Sequence, residues 1–234
     1  MRVVVLTTAI TATLLVAGCS ASGGGQAVQG SKLTPTVRAP APSTTPSPSP
    51  TSSPRTTTTA APPAANAPIP AVTAWLDAAK PVDAGGFHTA TRDGVATQLG
   101  TDLAFVTPSG KTQCMTDSAN GGALACLVDL THPPARPSDS YGKWIGGWVD
   151  FDGTSLQVGS SHADPGRFAL GTGARLDYGT SLRFGDYQCR SDPAGLVCVN
   201  YAHQTGVRMA DSGTEPLGCL QMVSDPTVGL KYTC

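Results

Sequence analysis

Two segments of this chain repeat one plan, and that repeat limits the fold more than any other feature. The first is Gln113-Cys114-Met115-Thr116-Asp117, a turn, then Leu124-Ala125-Cys126-Leu127. The second is Gln188-Cys189-Arg190-Ser191-Asp192, a turn, then Leu196-Val197-Cys198-Val199. Each reads as Gln-Cys-x-x-Asp, a glycine-containing turn, and Leu-x-Cys before an apolar residue. In the second copy Asp192-Pro193-Ala194-Gly195 fits a type I turn, with Asp at i, Pro at i+1 and Gly at i+3. Folding back there sets Cys189 opposite Cys198. In the first copy Asn120-Gly121 centres the turn and sets Cys114 opposite Cys126. Facing positions on an antiparallel pair bring Cβ atoms within reach of a disulfide. Cys219 and Cys234 then pair by elimination and clasp the C-terminus.

The surrounding sequence agrees with a mainly β fold. Val95, Thr97 and Leu99 alternate, and 103–106, 155–158, 181–184 and 228–232 are short apolar-polar runs between Gly, Pro and Asp turns. Acidic residues are almost all Asp, a turn former, with Glu215 the single glutamate, which argues against much helix. One helix is expected over 72–80, where Trp75, Leu76 and Ala79 share a face and Pro81 ends the run. The expected architecture is a disulfide-stapled antiparallel β-sandwich or partly closed barrel with one short N-terminal helix.

The N-terminus supplies an address. Arg2 precedes an apolar stretch over 3–16, and Val16-Ala17-Gly18-Cys19 reads as a bacterial lipobox, with Cys19 the thiol that takes a diacylglycerol. The stretch is too short to span a bilayer, which needs roughly 20 apolar residues. Residues 1–18 are therefore expected to be a lipoprotein signal peptide, and the mature chain to hang by lipid on the extracytoplasmic face of the cell membrane. Residues 19–70 are mostly Ser, Thr, Pro, Ala and Gly, with Thr56-Thr57-Thr58-Thr59 and Pro46, Pro48 and Pro50. Such a segment buries too little apolar surface to offset its ordering entropy, so a disordered or PPII-like stalk is expected. Residues 71–234 are long enough for one domain with its own core. Their six cysteines, an even number in an exported domain, point to disulfides rather than a thiol catalyst. All 16 acidic residues lie beyond residue 75, and no Lys/Arg cluster tracks phosphates, so nucleic acid is excluded as a partner.

Two further segments carry a resemblance. Phe105-Val106-Thr107-Pro108-Ser109-Gly110, with Cys114 behind, is similar to the F-x-[ST]-P-S-G-x-x-x-C signature of an actinobacterial secreted domain. Leu176-Asp177-Tyr178-Gly179-Thr180-Ser181-Leu182-Arg183, followed by Gly185 and Cys189, resembles that family's second signature, L-x-Y-G-x-S-[IL]-R. Pro133-Pro134 after the first hairpin fits as well. The chain resembles a mycobacterial Lpp-type lipoprotein over about residues 87–210. The resemblance implies an envelope protein and assigns no catalytic residue. Many members carry a further Cys pair between the hairpins, which is missing here, whereas Cys219 and Cys234 lie outside the pattern.

Candidate chemistry is sparse. His88, His132, His162 and His203 show no helical metal spacing, and no free cysteine completes a zinc site, so neither metal nor cofactor is expected. His162-Ala163-Asp164 puts two potential ligands on one face but sits in a Gly/Ser/Pro-rich stretch, where solvated loop residues are the plainer reading. Ser109 lacks the Gly-x-Ser-x-Gly elbow of a hydrolase and reads as a turn cap. Asp150 and Asp152 share a face, yet glycosidase carboxylates come from separate elements, and a pair running into Gly153 reads as turn. No catalytic residue is assigned.

Tyr141, Trp144 and Trp148 form the candidate ligand surface. On a regular strand over 143–151, Trp144, Gly146 and Trp148 line one face, and Ile145, Gly147, Val149 and Phe151 the other. If exposed, the two indoles make a platform for an envelope glycan. The sequence thus points to a lipid-anchored, non-enzymatic module that binds an envelope glycan or protein. A cell-envelope hydrolase with a loop-built site around His162, Asp164 or Asp150 is the alternative.

Overall fold

The computed structural model describes residues 60–65, 67–162 and 166–234. The expected signal peptide, the expected lipid-bearing Cys19 and the expected stalk up to residue 59 lie outside the described residues. In chain order the elements are α1 (Ile69–Asp77), β1 (Lys80–Val82), β2 (Thr89–Arg92), β3 (Val95–Gln98), β4 (Ala104–Val106), β5 (Thr112–Asp117), β6 (Ala123–Val128), β7 (Lys143–Phe151) and β8 (Ser155–His162). There follow β9 (Ala174–Arg175), β10 (Thr180–Phe184), β11 (Tyr187–Asp192), β12 (Gly195–Asn200), β13 (Thr205–Ala210), β14 (Gly213–Leu217), β15 (Gln221–Val223) and β16 (Leu230–Thr233). One sheet has the order β1-β10-β11-β12-β13-β14, and the other β15-β16-β8-β7-β6-β5-β4-β9. The β2–β3 hairpin stands apart. The sheets do not close into a barrel, so the mainly β expectation resolves as a sandwich.

The duplicated hairpins lie inside the two sheets, β11–β12 at the centre of the six-stranded one and β5–β6 beside the centre of the eight-stranded one. Cys114 faces Cys126 across β5 and β6, and Cys189 faces Cys198 across β11 and β12, each pair at disulfide distance; Cys219 and Cys234 form the third. The repeat extends further than the hairpins. One register row runs Phe105, Cys114, Cys126, Val149, and its counterpart runs Leu182, Cys189, Cys198, Val207. Each row is flanked by a short parallel edge strand, with Ala174 beside Phe105 and Val82 beside Leu182. Both rows point inward, because one shared core cluster holds all eight of these residues together with Leu124, Phe151, Leu156 and Leu196. The two copies therefore bury each other's apolar face, which neither could do alone.

The helix differs from its expected bounds. It starts at Ile69, with Pro70 in the first turn, where a missing N–H breaks no helical bond, and it ends at Asp77. Lys80 and Pro81 instead belong to β1, parallel to β10. Ile69, Val72, Trp75 and Leu76 pack on Val197, Val199 and Leu217, covering the outer face of the six-stranded sheet. Folded structure also reaches back past the expected boundary at 71, since the Trp75 indole donates to the Ala60 carbonyl at 2.9 Å. The chain enters beside Tyr178, Asp192 and Pro193, which line a depression together with Ala60, Ala61 and Pro62.

Candidate functional site

The candidate site begins with an irregularity in the β7–β8 pair. Ile145 pairs with Ser160 but Val149 pairs with Val158, so four steps on β7 face two on β8. Gly146 and Gly147 permit this bulge. A Cβ on Gly147 would lie 2.0 Å from the Val128 carbonyl oxygen, and one on Gly146 would lie 2.7 Å from the Pro133 Cβ. Beyond the bulge the alternation of faces resets. Ile145 and Trp148, three apart, both pack into an outer cluster with Ala90, Ala104, Met115, Ala125 and Phe168.

This overturns the expected two-indole platform. Trp148 is 3 % exposed, whereas Tyr141 is 96 % exposed in the loop before β7. Trp144 is half-buried and points to the other side of the sheet from Ile145. It covers Gly159, and its Nε1–H donates to the Pro134 carbonyl at 3.3 Å. The three aromatics are thus dispersed: one in solvent, one folded onto a proline loop, one buried. Period-two alternation fails because the strand carries two extra residues at the bulge.

Trp148 instead supports a cleft of about 500 Å³ on the outer face of the eight-stranded sheet, whose lining includes Asp117, Trp148, Asp150, Gln157, His162 and Arg167. The His162 ring stacks on the indole with centroids 3.6 Å apart, and Phe168 meets it edge-on at 5.0 Å. The indole N–H donates to Asp150 Oδ2 at 2.9 Å. Burial pushes the Asp150 carboxyl above its usual range, against the opposing pull of that bond and of the His162 and Arg167 charges. Burial likewise pushes His162 down, although the nearby Asp150 charge favours its protonated form. Across β8, Gln157, Ser160 and His162 all reach this side, since Gly159 with φ +76° resets that strand too.

Several lining residues are already engaged. Arg167 binds Asp117 at 2.9 Å and donates to the Met115 and Ala123 carbonyls, fixing the Gly166–Leu170 turn to the first hairpin. Asp152 is a turn residue. Burial pushes its carboxyl up, but four bonds from Thr154 and Ser155 outweigh that and hold it below the usual range. Ser160 Oγ lies 2.6 Å from His162 Nε2. That contact, Gln157 and the Asp117–Arg167 pair were not singled out from sequence, because a strand's face is invisible once a bulge on β7 and the turned backbone at Gly159 have shifted it. Of the residues weighed from sequence, His162 and Asp150 do meet. Asp164 lies outside the described residues, and Ser109 sits at the opposite end of the sandwich in the β4–β5 turn, bonded to Thr107.

Among the described residues no group of three or more His, Cys, Asp or Glu side chains is arranged to hold a metal ion, and no helix is long and apolar enough to cross a membrane. No family model, curated protein or solved structure matches this chain.

Proposed function

We propose that this is a lipoprotein held by Cys19 on the extracytoplasmic face of the cell membrane, whose sandwich binds another envelope component without catalysis. The carrying observation is the open cleft, with Asp150, Gln157 and His162 turned into it. Among the described residues the Gln157 amide and His162 Nδ1 have no hydrogen-bond partner, and Asp150 accepts only the Trp148 N–H. Polar groups of this kind orient a ligand in a preformed cavity. Their place on the domain supports the reading as well. The chain enters near Asp192, at one end of β11, while Tyr187, at the other end, lies on the side of the Asp152 turn. Five strand steps, roughly 17 Å, separate the two ends. The Asp152 turn and the point of chain entry therefore lie at opposite ends of the sandwich. The similarity of 105–110 and 176–183 to an actinobacterial secreted domain agrees with an envelope address. In the fold those two segments are neighbours, since the Leu176 N–H donates to the Val106 carbonyl.

A photo-crosslinker at exposed Asn120, on the cleft rim, tests this in the protein's own envelope. One component should be captured, and Gln157→Ala combined with Asp150→Asn should abolish the capture. Capture indifferent to both substitutions refutes the cleft.

The hydrolase reading has one observation in its favour, the Ser160–His162 contact. Against it, Ser160 is 8 % exposed, and among the described residues no carboxylate is hydrogen-bonded to His162 Nδ1 to orient the ring, the Asp150 carboxylate bonding the indole instead. A fluorophosphonate should leave Ser160 unlabelled; labelling that disappears in His162→Ala would favour the hydrolase.

A further inference from the structure

We infer that the cleft is one half of a longer groove that takes an elongated, neutral, polyhydroxylated ligand, a linear oligosaccharide; this rests on the binding reading above. A second cavity of about 380 Å³ opens between the ends of the two sheets, with Asp102, Phe184, Asp186, Tyr187 and His203 in its lining. Asp152 lines both cavities, and the β5–β6 turn borders both. Asp117 and Asn120 face the cleft, while Ser118, Gly121 and Gly122 face the second cavity. The two depressions therefore flank one turn and meet at Asp152. Each lies within the range of small-molecule sites, about 300–1,000 Å³, so together they accommodate more than one ring.

Charge selects against anions. Asp102, Asp117, Asp150, Asp152 and Asp186 line the two cavities, and Arg167 is already paired with Asp117. These carboxylates do not converge on a cation either. Asp102 accepts three bonds from Thr116 and Ser118, and Asp152 accepts four from Thr154 and Ser155. What the groove leaves for a ligand is a row of single positions on planar groups: Asp150 Oδ1, the Gln157 amide, His162 Nδ1, the exposed Asp186 carboxylate and the exposed His203 ring. Donors and acceptors are mixed along that row, which suits hydroxyls that do both. Apolar ring surface lies beside them. That surface is the half-buried Phe184 ring, which stacks at 5.6 Å on the buried Tyr187; burial pushes the Tyr187 phenol up to about 12, so it stays neutral and donates to the Phe151 carbonyl. Aromatic surface of this kind packs on the C–H face of a sugar ring.

The test uses the full-length lipidated protein in detergent micelles, titrated by calorimetry with β-1,4-linked N-acetylglucosamine and α-1,6-linked mannose oligomers of increasing length. In at least one series affinity should rise with length and then level off. His203→Ala and Asp186→Asn, both at exposed positions outside the core, should weaken the longest oligomer roughly tenfold, the loss of a hydrogen bond to a charged or aromatic partner. Both should leave the shortest unchanged, whereas Gln157→Ala should weaken every length. Equal affinity at all lengths, or His203→Ala silent on the longest, overturns the shared groove. No oligomer bound while crosslinking still captures a component through the cleft overturns the ligand class alone. A lysine-rich peptide bound in place of every oligomer does the same. Failure of both experiments removes the binding reading itself.

Discussion

Trp75→Ala tests whether helix α1 is structural to the sandwich or merely lies on it. The indole is 6 % exposed and packs with Ile69, Val72 and Leu76 on Val197, Val199 and Leu217. Truncating a buried tryptophan to alanine costs about 3–5 kcal/mol through lost transfer energy and the cavity left behind. Two specific contacts go with it. The Nε1–H bond to the Ala60 carbonyl contributes about 1 kcal/mol. The Arg190 guanidinium lies over the ring at 3.7 Å, a desolvated cation–π contact of about 2 kcal/mol. These overlap with the burial figure rather than adding to it, so about 4 kcal/mol is expected. For a domain of this size that lowers the melting temperature by about 8–16 °C. Urea denaturation followed by circular dichroism, with disulfides intact, reads the effect. A loss below about 1 kcal/mol, within the range of ordinary surface substitutions, would show that α1 frays independently of the sheets.

Arg190→Met separates the ring from the charge beneath it. The guanidinium is 3 % exposed, donates through Nη1 to the Trp75 carbonyl, and leaves Nε without a partner. A buried charge that is incompletely satisfied contributes little net stability against an apolar side chain of similar length. Arg190→Met should therefore cost less than about 1 kcal/mol. If it costs more than Trp75→Ala, the guanidinium holds the helix and the packing account is wrong.

Three further outcomes are expected. Removing Cys114–Cys126 or Cys189–Cys198 should cost about 2–4 kcal/mol and more than removing Cys219–Cys234, because the first two lie in the core and the third restrains an exposed terminus; equal losses in denaturation midpoints would contradict this. His162, held below its ordinary value of 6.5, resists protonation in the fold, so stability should fall as pH drops from 6.5 through the lowered value. Asp150, held above 3.8, takes up its proton early and should partly restore stability as pH falls through that raised value towards 3.8. Burial is the main cause of both shifts, so His162→Gln should remove the first loss and Asp150→Asn the later gain; unchanged midpoint-versus-pH curves would refute both assignments. Cys19→Ala should yield unprocessed or released protein with no acyl chains by mass spectrometry, and wild-type protein recovered wholly soluble and unlipidated would refute the anchor.

How much of this fold was legible depended on how local each constraint was. The hairpins were, because Cys114 and Cys126, or Cys189 and Cys198, are separated only by a turn whose Gly, Pro and Asn fix the reversal. The parallel edge strands were not. β9 is two residues long and β1 three, and each owes its existence to a partner distant in sequence, Ala174 to Phe105 and Lys80 to Thr180. The helix ends at Asp77, three residues before the end that Pro81 suggested, and no local pattern marked Lys80 and Pro81 as a strand. The early helix start at Ile69 was hidden by Pro68 and Pro70, which look like linker composition yet serve at a helix N-terminus.

The same reasoning explains why the cleft was half seen. His162 and Asp150 were picked out as titratable residues, but their meeting depends on where β7 and β8 slip. Gly146-Gly147 in the middle of a strand was the available signal, since paired glycines there mark a bulge or a close backbone approach. Reading the strand as regular placed Trp148 beside Trp144 and made it a surface for stacking. Once the bulge is included, Trp148 turns under His162, its face is covered, and its N–H is given to Asp150. The indole then acts as a support that fixes the imidazole and carboxylate, and recognition passes from aromatic faces to the planar polar groups above them. A ligand for this site must be sought by its hydrogen-bonding pattern, with ring stacking confined to the neighbouring Phe184.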